Sequence, residues 1–272
     1  MTHYRGWRRP GPEPPGGVEP EGGETLDFIC GNYRIFQYEQ GHRYSTDDVV
    51  TAWYGTICVP RAERAADLGS GIGSVAIIAA WRLPGAHFAT VEAQEMSFRL
   101  AHKSMRYNGL ESRFAMVRGD LRDFRPTDRF DLVLGSPPYF PPGTATEADH
   151  PQAIPARIEI RGSVADYAAT AARILAPGGV FAFVFPALQR DRALSAIAEA
   201  NLKLVRRRDV VFKEGEAPLI TLFAASRSED IPATYEAWIE PPLIIRMGDG
   251  SVSPEYSAVR LSIGFPPGNV PG

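Results

Sequence analysis

The chain has 272 residues, 44% of them hydrophobic and 22% charged, with a net charge of −3. These values suit a globular protein with one sizeable core and exclude a collagen-like or generally disordered chain. A strongly basic balance is absent, so any nucleic-acid contact has to come from local basic patches. Two cysteines without metal-like spacing, Cys30 and Cys58, exclude a disulfide framework, and five scattered histidines predict no metal site. No apolar run approaches a membrane span and no signal-peptide pattern opens the chain, so the expected compartment is the cytoplasm.

Residues 1–23 hold Pro10, Pro12, Pro14, Pro15 and Pro20 among several glycines. Such a composition cannot bury a core and predicts a disordered or extended arm. Its Arg5, Trp7, Arg8 and Arg9 read either as part of a plain tail or as RNA contacts. A small N-terminal cap is expected over 24–60. Strands at 26–29 and 33–38 flank the turn Gly31-Asn32. A helix at 47–57 follows, with Ser45 or Thr46 as N-cap, Asp47 and Asp48 in the first turn, and an end before Pro60. It reads as a packing helix or as a lid over a ligand.

From residue 61 to 230 strands and helices alternate. Strands are expected at 65–69, 87–92, 113–118, 130–135, 179–185, 203–212 and 218–225, and helices at 73–82, 95–107, 163–175 and 187–200. Alternation of this kind predicts an α/β fold, a mostly parallel sheet with helices on both faces. Pro177-Gly178-Gly179 marks a turn. The last two strands lack an intervening helix and are joined at Lys213-Glu214-Gly215-Glu216, which predicts an antiparallel hairpin at the sheet edge. Residues 231–272 read as a less regular extension of the same domain, with a short strand at 243–245.

The loops after successive strands concentrate the chemistry. Asp67-Leu68-Gly69-Ser70-Gly71-Ile72-Gly73 reads as strand, glycine turn and helix, where glycine permits φ > 0 and close approach of a ligand, and the helix N-terminus offers free N–H groups. At the end of the next strand stands Glu92, placed for a carboxylate that binds ribose hydroxyls. Gly119-Asp120-Leu121 follows the third strand and Ser136-Pro137-Pro138-Tyr139-Phe140 the fourth. Ligands of such sheets lie outside the carboxyl ends of the strands, so these turns should converge on a nucleoside site with an adjoining aromatic slot.

Asp67–Gly73, Glu92, Asp120 and Ser136–Phe140 together resemble the class I S-adenosylmethionine-dependent methyltransferases. The resemblance implies a Rossmann-like sheet of seven strands ending in an antiparallel hairpin. It implies that Asp67, Gly69, Gly71 and Gly73 hold the methionine part of the cofactor, Glu92 the ribose, and Asp120 with Leu121 the adenine; Thr46 and Asp47 join the cofactor set. Ser136-Pro137-Pro138-Tyr139 is similar to the motif of amino-methyltransferases that act on adenine N6 and related planar nitrogens. Gly41–Asp47, Ala156-Arg157-Ile158-Glu159 and Val210–Gly215 resemble the tRNA adenine-N6 methyltransferases that act on adenine 37 of a valine tRNA. That resemblance implies tRNA as substrate, with Ser136, Pro137 and Tyr139 catalytic and Pro138, Phe140 and Arg157 in contact with the substrate. Those enzymes usually carry Asn where this chain has Ser136. Serine can also accept a hydrogen bond, but it reaches less far, so a small molecule or a protein amide stays open as acceptor, as does a cofactor-binding module without catalysis. Arg157, Arg161 and Arg206-Arg207-Arg208 read either as phosphate contacts or as a solvated basic edge.

Overall fold

The computed structural model describes residues 3–4, 6–140, 152 and 158–269. Its first strands, β1 (His3–Tyr4) and β2 (Trp7–Arg8), pair antiparallel. A second antiparallel pair is formed by β3 (Glu24–Cys30) and β4 (Tyr33–Tyr38). Helix α1 (Thr46–Cys58) begins on a capping box: Ser45 Oγ accepts from the Asp47 N–H at 3.2 Å, and the Asp48 carboxylate accepts from the Ser45 N–H at 2.8 Å.

The main sheet then builds from β5 (Arg64–Leu68), β6 (His87–Glu92), β7 (Phe114–Arg118), β8 (Phe130–Gly135), β9 (Leu175–Pro186), β10 (Leu202–Lys213), β11 (Ile220–Arg227) and β12 (Trp238–Arg246). In space the order is β12-β10-β11-β9-β8-β5-β6-β7. Only β11 runs against its neighbours. Helices α1, α2 (Ser74–Arg82) and α3 (Glu95–Tyr107) pack on one face through Val50, Ile77, Ile78 and Leu100. Helices α4 (Val164–Ile174) and α5 (Arg190–Glu199) cover the other through Ala168, Ala171, Ala193 and Ile197. A sheet buried on both faces needs runs of apolar residues rather than alternation, and β9 supplies Phe181, Ala182, Phe183, Val184 and Phe185, all buried.

Five sequence expectations are corrected here. The sheet has eight strands, because 238–246 forms a full strand parallel to β10. The β10–β11 hairpin is therefore not at the edge, and β11 lies between β9 and β10. Pro241-Pro242 interrupts the apolar pattern of β12, yet the register shifts at that point and the strand is an edge, where proline is tolerated. A short helix, α6 (Pro254–Ser262), capped by Ser253 with proline at its start, packs Tyr256 and Val259 into the core and was not expected. Pro177-Gly178-Gly179 is a bulge within β9, since Leu175 pairs with Phe130 and Val180 with Leu132. The N-terminal arm, expected as disordered or extended, is extended and docked. Its Gly16 N–H donates to the Tyr107 carbonyl at 3.0 Å, and Asn32 Nδ2 donates to the Gly11 carbonyl at 2.9 Å. Gly11 sits so close to Trp81 that an added Cβ would fall 2.4 Å from the ring. The arm has no core of its own and borrows the aromatic surface of the body.

Candidate active site

Register places the site. Leu68 of β5 lies beside Val91 of β6 and Gly135 of β8, so the loops leaving these strands start side by side. They open on one cavity of about 500 Å³ at the carboxyl ends of the strands. Of the residues singled out in the sequence, Asp67, Gly69, Gly71, Glu92, Leu121, Asp47 and the whole Ser136–Phe140 turn line it.

The glycine turn takes positive φ at Gly69 (60°), Gly71 (56°) and Gly73 (84°), which only glycine adopts without strain. Each glycine has a different job. At Gly69 an added Cβ would fall 1.9 Å from the Tyr167 hydroxyl, so this glycine admits α4 to the sheet end. At Gly71 it would meet no atom within 4 Å and would project into open space. At Gly73 it would press on Ala101 and Met105 of α3 at 3.3 and 3.2 Å. Gly73 therefore starts α2 and seats it on α3, and does not line the cavity.

Glu92 is 7% exposed. One carboxylate oxygen accepts from the Gly71 N–H at 2.8 Å and the other from the Gln94 N–H at 2.6 Å. The Ala93 backbone also donates to this carboxylate, which as an acceptor-only group with about four lone-pair sites keeps capacity for a ligand. Burial raises its pKa, opposed by these backbone donors. Asp67 is 1% exposed, and one of its oxygens is buried without a partner. Burial first, then the nearby Asp48 carboxylate, pushes its pKa up to about 8. Ser70 Oγ is likewise buried and unpartnered. Such orphaned groups beside open backbone fit a polar ligand that supplies the missing bonds.

The Ser136–Phe140 turn is tied to α1. The Tyr139 hydroxyl donates to Asp47 Oδ2 at 2.5 Å, and the Tyr139 ring meets Phe185 edge-on at 6.0 Å. Burial raises the Asp47 pKa, and burial followed by the Asp47 charge holds the Tyr139 hydroxyl far above its ordinary range. Its neighbour Asp48 accepts from Ser74 Oγ at 2.5 Å, joining the starts of α1 and α2.

Two other expected residues, Thr46 and Asp120, stand off the cavity wall. Thr46 hydrogen-bonds to the Tyr256 side chain of α6. Asp120 accepts from the backbone N–H and from Nε of Arg122, both at 2.9 Å, which turns its carboxylate to the following 3-10 turn. Arg157 lies outside the described residues. Of the other arginines, Arg161 lines the cavity. Arg206 is held by Glu240 at 2.7 Å, and Arg208 by Glu255 at 2.7 Å and the Pro241 carbonyl at 2.9 Å, so these two serve the β10–β12 edge. Tyr167 and Gln94 are lining residues that sequence reasoning missed. Tyr167 sits mid-helix with no local signature, whereas Gln94 could have been found as the residue two beyond Glu92.

Parallel strands with a single reversed strand near one edge, a glycine turn opposite a buried glutamate, and a Ser-Pro-Pro-Tyr turn on the same cavity define a Rossmann-like methyltransferase. The chain belongs to the methyltransferase small domain family, whose model matches residues 54–197, more than half of its length. It is an S-adenosylmethionine-dependent methyltransferase. A tRNA1(Val) (adenine(37)-N6)-methyltransferase of Tolumonas auensis is 28% identical over 241 residues, 88% of this chain and 95% of that one. A 4-amino-L-phenylalanine/4-methylamino-L-phenylalanine methyltransferase of Streptomyces pristinaespiralis is 37% identical over 122 residues, 42% of this chain and 40% of that one. A crystal structure described as a "predicted O-methyltransferase" from Agrobacterium tumefaciens superposes with a TM-score of 0.61 at 18% identity, over 83% of this chain and 99% of that one, a likeness of fold. Among the described residues no helix is long and apolar enough to cross a membrane.

Proposed function

We propose that this enzyme methylates the N6 amino group of an adenine in tRNA. The observation that carries the reading is the placement of Ser136-Pro137-Pro138-Tyr139 on the same cavity wall as Glu92 and the glycine turn. The likeness to the Tolumonas enzyme along nearly the whole of both chains supports the RNA substrate.

Glu92 is suited to hold the ribose of S-adenosylmethionine with its remaining acceptor capacity, the open backbone at Gly71 to lie against the cofactor, and Leu121 to pack on its adenine. Asp67 and Ser70 offer unpartnered polar atoms to the same ligand. When bound, the cofactor supplies a methyl group already activated on a sulfonium. What remains for the protein is alignment, since an exocyclic amine conjugated with its ring is a poor nucleophile until its nitrogen turns tetrahedral. Ser136 Oγ and the Pro137 carbonyl accept the two amino hydrogens, which aims the nitrogen lone pair. Tyr139 presents its ring to a flipped-out base, Pro138 and Phe140 bound the slot, and Arg161 on the rim meets backbone phosphate. Tyr139 is pre-set for this by Asp47, so Asp47 belongs with the acceptor side of the site.

One observation favours a second reading, a small aromatic amine as acceptor. Ser136 is shorter than the Asn usual in the tRNA enzymes, and the Streptomyces relative is named for an aromatic amine. Incubation with total tRNA and methyl-labelled cofactor, followed by nucleoside mass spectrometry, separates the two. The tRNA reading expects N6-methyladenosine. Label that stays off RNA and appears on a low-mass amine overturns it in favour of the second.

A further inference from the structure

Behind the acceptor turn lies a ring of side chains, of which Gln189 and Arg192 fall in no motif and Glu159 ends the stretch Ala156-Arg157-Ile158-Glu159. The Tyr139 carbonyl accepts from Gln189 Nε2 at 2.8 Å. Gln189 Oε1 accepts in turn from Arg192 Nη1. Arg192 Nη2 donates to Glu159 Oε1 at 2.6 Å, and the Glu159 backbone N–H donates to the Phe140 carbonyl at 2.9 Å. Tyr139 and Phe140 are joined by a peptide bond, so the path closes on itself. Two successive carbonyls of the turn are fixed by one connected set of hydrogen bonds. The Glu159 side chain is 8% exposed, so Arg192 rather than water compensates its charge. The same guanidinium lies 5.5 Å from the centre of the Phe185 ring, against which Tyr139 sits edge-on.

We propose that Gln189, Arg192 and Glu159 are positioning residues for methyl transfer, which fix the backbone of the Ser-Pro-Pro-Tyr turn from its downstream end. The proposal rests on the reading of that turn as the acceptor site. The turn needs such a fixture. Proline locks φ at Pro137 and Pro138, and β8 holds the chain as far as Gly135. What is left free is the backbone at Tyr139 and Phe140, and the ring bonds to the carbonyls of those two residues. Any rotation there would carry the Tyr139 ring and the Pro137 carbonyl away from a common acceptor. Misplacement of reacting groups by about 1 Å costs on the order of a hundredfold in rate. A ring of hydrogen bonds, unlike apolar packing, has one geometry in which all its members are satisfied.

The test uses the full chain with Gln189→Leu, Arg192→Met, Arg192→Lys, Glu159→Gln and the Gln189→Leu/Glu159→Gln double variant. Single-turnover rates on tRNA are measured beside the cofactor dissociation constant. The single variants should lose about tenfold to a hundredfold in rate with cofactor affinity unchanged, and Arg192→Lys should recover part of the loss. The double variant should be no slower than the slower single one, because the ring opens only once. A readout independent of the acceptor accompanies this: 3-fluorotyrosine at position 139, observed by fluorine NMR. The parent should give one sharp resonance, and the ring-opened variants a broadened or split one. A sharp, unshifted resonance in every variant overturns the proposal. So do parental rates in variants that merely melt lower. If the resonance broadens as expected while the parent transfers no methyl to tRNA, the ring stands and the tRNA reading fails.

Discussion

The two halves of the cavity are built in different ways. The half proposed to hold the cofactor is local: Gly71 and Glu92, 21 residues apart, meet because adjacent parallel strands end side by side and the backbone itself supplies the donors. The half proposed to take the acceptor is assembled from afar. Tyr139 is held by Asp47, 92 residues earlier, and by Gln189, 50 residues later, through side chains. A half made of backbone and one strand register tolerates change around it. A half made of long-range side-chain bonds can be retuned by single substitutions without disturbing the sheet. The cofactor is common to the family, whereas acceptors differ among its relatives, and the two constructions match that division.

The largest effect expected on the cofactor half is from Gly69→Ala. It combines positive φ with a Cβ placed 1.9 Å from the Tyr167 hydroxyl. Strain and overpacking together should destabilise the fold by about 2–5 kcal/mol in denaturant titration. Gly71→Ala, with the same strain and open space for the Cβ, should cost only about 1–2 kcal/mol. Equal losses at the two positions would break the distinction between a packing glycine and a ligand-facing one.

Next in size is Glu92→Ala. Loss of charge-assisted hydrogen bonds of about 1.5–3 kcal/mol should weaken S-adenosylmethionine at least tenfold by calorimetry. On the acceptor side, Tyr139→Phe removes the hydroxyl that satisfies Asp47 and should destabilise by about 1–3 kcal/mol. It should lower turnover while leaving cofactor affinity alone. A Phe variant with parental stability and rate would show that the Asp47 bond contributes nothing.

These regions also differ in how far the sequence disclosed them. The glycine turn, Glu92 and Ser136–Tyr139 were legible because each is a short motif in a fixed strand-and-turn context. Gln189 and Tyr167 were not, because nothing local marks a helix residue whose partner is 50 residues or more away. Asp120 and Gly73 had the right position for a ligand contact but are engaged by nearer neighbours, Arg122 and α3. The edge strand β12 was hidden by Pro241-Pro242, since a pattern cannot tell a tolerated edge proline from a strand breaker. The arm was misread in part because composition reports what a segment can bury itself, not the aromatic surface it can lie on.

Asp67 sharpens the comparison through pH. Its pKa is raised in the folded protein to about 8, against an ordinary carboxylate value in the unfolded chain. The folded state therefore keeps a proton that the unfolded state has lost. Stability from this residue is present at low pH and falls as pH rises from about 4 to about 8. Asp67→Asn should lack that slope, so its melting temperature relative to the parent should climb across the same interval in the cofactor-free protein. A constant difference would mean that the Asp67 carboxyl is ionised in the fold. The smallest effect should come from the arm. A chain starting at Glu24 loses the Gly16 and Asn32 bonds and the contact with Trp81, and should melt a few degrees lower. An unchanged midpoint would mean the arm does not dock in solution.

The separation of the two halves is tested most directly by one paired measurement on Glu92→Ala and Ser136→Ala: cofactor dissociation constant and single-turnover rate at saturating cofactor, on tRNA. A double dissociation is expected. Glu92→Ala should bind at least tenfold more weakly, a loss of about 1.4 kcal/mol or more, and transfer near the parental rate once saturated. Ser136→Ala should bind as the parent does and transfer more slowly, because the lost bond serves the transition state. If Ser136→Ala transfers methyl at the parental rate, or if both variants lose affinity and rate together, the cavity is not divided in this way and the Ser136–Tyr139 turn is not where the acceptor sits.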